Sequence, residues 1–80
     1  MNRETVKKKV LEVVNKTFNR DTATEDTELV LAWGGTSLDE MEITMQLEEY
    51  FKIDLYKDAG LKRMETPRQL IDLIISEKDD

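Results

Sequence analysis

The sequence predicts an all-α fold, a small four-helix bundle of three longer helices and one short helix with a long first loop. Three observations lead there. Apolar residues recur at helical spacing in three separate stretches, two of which open on helix-start signals, and residues 19–36 between the first two stretches keep no sustained period. Hydrophobic residues make up 39% of the 80-residue chain and aromatics only 6%, so the expected core is aliphatic and methionine-filled. No repeats or low-complexity segments interrupt this pattern, and one domain spanning residues 1–80 is expected.

The first helix is expected over about residues 3–18, where Val6, Val10, Val13, Val14 and Thr17 share a face and Lys7, Lys8, Lys9, Glu12 and Lys16 occupy the rest. Glu12 stands four residues from both Lys8 and Lys16 and could pair in either direction. Residues 19–36, rich in Thr, Asp and Asn, read as a loop pinned by Leu29, Val30, Leu31 and Trp33. A lone strand there would leave its backbone unpaired, so a loop folded over the bundle is preferred, with a helical turn after Asp26. Beyond Phe51, residues 56–61 are expected to form the short helix, broken near Gly60. Thr66, Pro67 and Gln69 then mark a restart through a Thr-x-x-Gln capping box, and Leu70, Ile71, Leu73, Ile74 and Ile75 form a strongly apolar last helix.

The second helix carries the most information. Ser37 stands at its start with Glu40 three residues on, a capping-box spacing in which the serine caps the helix and Glu40 reaches back to the serine N–H. On that reading Ser37→Ala costs about 0.5–2 kcal/mol as the loss of a cap. Gly34 and Gly35 serve a tight turn, or clear side chains from the approach to the hydroxyl. At roughly 100° per residue the apolar positions fall into two stripes. Ile43, Leu47, Tyr50 and Phe51 suit a core, whereas Leu38, Met41 and Met45 lie nearly opposite, flanked by Glu42, Glu48 and Glu49. The second stripe either packs against another part of the chain or meets a partner.

Charge and composition exclude several classes. The net charge is −6, and from Asp21 to Phe51 there are nine acids and no Lys or Arg, while the first twenty residues hold six basic residues and two acids. An acidic surface around Ser37 argues against nucleic acid and toward partners with basic docking patches. With neither Cys nor His, the chain has no disulfide framework, catalytic thiol or histidine base, and no metal site is expected. The first ten residues lack a secretory apolar segment and the longest apolar run, Leu29 to Trp33, is too short to span a bilayer, so a cytoplasmic protein is expected, as a monomer; the capped start and acidic tail lean toward a free-standing chain over a piece of a larger synthase.

Residues 34–55 resemble the signature of the acyl carrier proteins of fatty-acid and polyketide synthesis, a Gly-x-Asp-Ser-Leu-Asp motif before an acidic helix ending Leu-Glu-Glu-x-Phe. The residues that carry the resemblance are Gly34, Ser37, Leu38, Asp39, Glu42, Leu47, Glu48, Glu49 and Phe51, and it extends more loosely over most of the chain. Thr36 stands where the family usually has aspartate. The resemblance implies that Ser37 carries a 4′-phosphopantetheine arm transferred from coenzyme A, on which acyl groups ride as thioesters. It also implies that a phosphopantetheinyl transferase and acyl-loading and acyl-processing enzymes dock on Leu38, Asp39, Met41, Glu42, Met45, Glu48 and Glu49, and that the bundle interior can shelter the acyl chain. Catalysis would belong to those partners. The alternative is an unmodified helical interaction module that uses the Leu38/Met41/Met45 face and keeps Ser37 only as a cap.

Overall fold

The computed structural model describes residues 2–57, 61 and 63–79. Among them are three helices and no strand: α1 (Arg3–Phe18), α2 (Ser37–Phe51) and α3 (Pro67–Asp79). The short helix expected over residues 56–61 includes residues 58–60, which lie outside the described residues.

α1 packs against both other helices, and its valines explain why. Val6, Val10, Val13 and Val14 form a buried stripe that meets Ile43, Leu47 and Phe51 of α2 and Leu70, Ile71 and Ile74 of α3 in one core. Asn2 caps α1 by accepting the Glu4 N–H at 2.7 Å, and Asn19 ends it in the left-handed region at φ 54°. Glu12 pairs with neither lysine expected from the four-residue spacing. Its partner is Lys9, at 2.9 Å, while Lys8 and Lys16 act on it only by Coulomb attraction.

Two core expectations are corrected. Met64 is buried, but Met41 and Met45 are exposed, so the interior is built from branched aliphatics and not filled with methionine. Tyr50, expected beside Ile43, is 58% exposed, with the Lys9 ammonium 4.3 Å from its ring centroid and Phe51 edge-on to it. The buried face of α2 is centred between Thr44 and Leu47, which turns Tyr50 outward by about 70°. Thr44 is tolerated there because its hydroxyl donates to the Glu40 carbonyl at 2.9 Å and lies 3.2 Å from that of Met41.

The first loop holds its course through buried contacts and ion pairs. Leu29 is fully buried and its N–H donates to the Glu65 carbonyl at 2.9 Å. The helical turn expected after Asp26 forms over residues 28–35, with Ala32 N–H bonded to Glu28 O and Gly34 N–H to Val30 O. Trp33 packs edge-on against Phe18, and the Arg20 guanidinium lies over the indole ring, 4.7 Å from its centroid. Before α3, the capping box takes another form: the Gln69 carboxamide accepts the N–H of Glu65, not of Thr66, and donates to Arg63 O.

Leu47→Ala is expected to lower the urea-unfolding free energy by about 2–5 kcal/mol, the range for a fully buried leucine. Tyr50→Ala is expected to lower it by about 1 kcal/mol, the worth of its ring contacts.

Candidate functional site

The start of α2 is built one residue earlier than the sequence pattern suggested. Thr36, not Ser37, is the N-cap, and Asp39, not Glu40, closes the box. The Asp39 carboxylate accepts the Thr36 N–H at 2.9 Å and its hydroxyl at 3.1 Å, and the Asp39 N–H donates to Thr36 Oγ1 at 3.3 Å. Thr-x-x-Asp carries the same reciprocal logic as Ser-x-x-Glu, and the overlapping Thr36–Asp39 spacing was the signal that could have revealed it. Ser37 is thereby the first helical residue. It is exposed, and no hydrogen bond engages its hydroxyl among the described residues.

Two glycines set the approach. Gly34 adopts φ +67°, a conformation that L side chains rarely take, with open space around its Cα. Gly35 is required for a different reason: a Cβ there would lie 2.8 Å from the Leu29 carbonyl oxygen and 3.0 Å from the Phe18 ring. That close approach lets the Gly35 N–H donate to Leu29 O at 2.8 Å, fixing the chain two residues before Ser37.

Along α2 the expected docking residues separate into two groups. Leu38, Met41 and Met45 are 73%, 52% and 57% exposed, so the second stripe packs against no other described part of the chain. Glu42 and Glu49 are exposed beside it, and Glu42 accepts from the Gln46 carboxamide at 2.8 Å. Glu48 and Asp39 are half-buried and engaged: Glu48 accepts the Leu55 N–H at 2.9 Å and Asp39 serves the cap. Glu40, released from capping, accepts the Tyr56 hydroxyl at 2.9 Å and the Met64 N–H at 3.2 Å. Partial burial raises the Tyr56 phenol above its ordinary value, and the neighbouring Glu40 charge adds to that rise.

This arrangement fits an anionic group on Ser37. The Ser37 hydroxyl is accessible, the capping role that would have occupied it belongs to Thr36, and the first turn of a helix favours negative charge by about 0.3–1 kcal/mol.

Residues 8–74 match the family model described as phosphopantetheine attachment site. The chain belongs to this family, a class of carrier domains whose prosthetic group is 4′-phosphopantetheine. The match includes all of α2 and most of α1 and α3. Among the described residues no helix is long and apolar enough to cross a membrane.

The relocated cap changes what substitution should do. Thr36→Ala is expected to lower stability by about 0.5–2 kcal/mol, and Ser37→Ala to stay within about 0.5 kcal/mol of wild type, as read from urea unfolding midpoints. Gly35→Ala, which sets a Cβ against a backbone carbonyl, is expected to destabilise more than Ser37→Ala.

Proposed function

We propose that this chain is an acyl carrier protein whose 4′-phosphopantetheine arm is attached to Ser37. The observation that carries this reading is the free, exposed Ser37 hydroxyl on the first turn of α2, inside the matched family region. The arm supplies a thiol on which an acyl group is held. The chain contributes the hydroxyl that bonds the arm, a glycine turn that leaves the hydroxyl open, and helix-end amides that favour the phosphodiester. Among the described residues no base is bonded to the Ser37 hydroxyl, which suits a hydroxyl modified by another enzyme rather than one that attacks unaided.

Partner enzymes dock on the Leu38/Met41/Met45 stripe and the acids around it. An exposed leucine and two exposed methionines give adaptable apolar contact, and Asp39, Glu42, Glu48 and Glu49 complement basic patches. Glu48 and Asp39 act through their charge, since their carboxylates are already engaged within the chain. The chain acts as a single cytoplasmic carrier domain and leaves catalysis to its partners. The Glu42, Leu47, Glu48, Glu49 and Phe51 pattern favours fatty-acid-type partners, and Thr36 before the serine favours a transferase suited to this chain or a specialised acyl pathway.

Intact-mass analysis after incubation with coenzyme A and a phosphopantetheinyl transferase tests the reading. Wild type is expected to gain one phosphopantetheine and, because the chain has no cysteine, its first free thiol; Ser37→Ala is expected to gain neither. Unmodified mass in protein from its own host, with partner capture independent of Ser37, would instead establish the interaction-module alternative.

A further inference from the structure

Glu25 is the hub of an ion cluster remote in sequence from Ser37. Its side chain is 16% exposed, and its carboxylate accepts from the Arg3 guanidinium at 2.5 Å and lies 3.5 Å from both Lys7 Nζ and Arg68 Nε. Arg3 also pairs with Asp72 at 2.6 Å, and Arg68 pairs with Asp26. The cluster therefore joins the start of α1, the first loop and the start of α3. The backbone repeats the connection, since the Arg68 N–H donates to the Glu25 carbonyl at 3.0 Å.

The loop runs four residues from this hub to Leu29, whose carbonyl receives the Gly35 N–H at 2.8 Å. Gly35 in turn stands directly before the Thr36 cap. Leu29 is also held by its burial and by its N–H bond to the Glu65 carbonyl, so the hub at Glu25 is a second tether on the loop that carries the acceptor of Gly35 and leads into α2. Surface ion pairs are weak singly, but three cations converging on one carboxylate form a network whose members reinforce one another.

We propose that Glu25 is a positioning residue for Ser37: the Arg3–Glu25–Arg68 clasp holds the first loop in the course that presents the Ser37 hydroxyl, and makes that presentation sensitive to ionic strength. This rests on the reading of Ser37 as the attachment site. When the clasp loosens, the competent arrangement of the loop is less populated, and the apparent affinity of the transferase falls by that fraction while its chemical step is unchanged. Acid acts in the same direction. Hydrogen bonding from Arg3 lowers the Glu25 carboxyl below its ordinary value, with smaller help from the charges of Arg3, Lys7 and Arg68. The clasp's contribution is therefore complete above the unfolded carboxyl value and is lost as pH falls through the depressed folded one.

The test is amide exchange on the full chain together with transferase kinetics, using Glu25→Gln and, as a milder second variant, Arg68→Gln. Both are expected to exchange the Gly35 and Leu29 amides several-fold faster than wild type while the Val10 and Val14 amides of α1 keep their protection. Added salt should speed Gly35 exchange in wild type but not in Glu25→Gln. In the transferase reaction KM should rise with kcat held. Unchanged Gly35 exchange in both variants, acceleration shared equally by Val10 and Val14, or a fall in kcat alone would overturn the proposal. If wild type accepts no phosphopantetheine, the reading of Ser37 fails, and the exchange data still decide whether the clasp orders the loop.

Discussion

The close approach of Gly35 to the Leu29 carbonyl is the constraint on which the site depends. It joins the buried part of the first loop to the residue before the helix cap, and only a residue without a Cβ fits there. Leu29 is fully buried and bonded to Glu65, so the carbonyl that receives Gly35 is held from the core side and from the segment before α3. The start of α2 thereby inherits the rigidity of the bundle. Glycine in this sequence supplies rigidity through contact, although its usual association is with freedom.

From that fixed point the polar groups of the first turn divide their work. Thr36 and Asp39 satisfy the helix start, Glu40 and Glu48 hold backbone and hydroxyl groups of the chain beyond α2, and the Ser37 hydroxyl has no hydrogen-bond partner among the described residues. A hydroxyl consumed by capping would be a poor acceptor of a covalent group, because its modification would remove the cap. With the cap one residue earlier, at Thr36, the modification proposed at Ser37 leaves the cap in place.

The helices were legible because their valine, isoleucine and leucine stripes are strongly periodic, and α1 in particular begins and ends where its pattern does. The exposed Leu38/Met41/Met45 stripe was visible as a second apolar face, but periodicity could not decide whether another element covered it. Tyr50 was misplaced because it lies only about 20° from Ile43 on a helical wheel, and the orientation of the core face depends on Thr44, whose hydroxyl can be buried by bonding to its own helix. The cap was misplaced because two overlapping patterns, Thr36–Asp39 and Ser37–Glu40, satisfy the same rule. The choice turned on Tyr56 and Met64, which claim Glu40 across the fold. The Glu25 clasp was not legible at all, since Arg3, Arg68 and Asp72 meet it only through tertiary packing.

The most direct test of the central claim is fragmentation mass spectrometry of the chain after loading from coenzyme A. The account predicts phosphopantetheine on Ser37 alone, with the adjacent Thr36 hydroxyl and the second serine, Ser76, unmodified. An arm on Thr36 or Ser76 would contradict it.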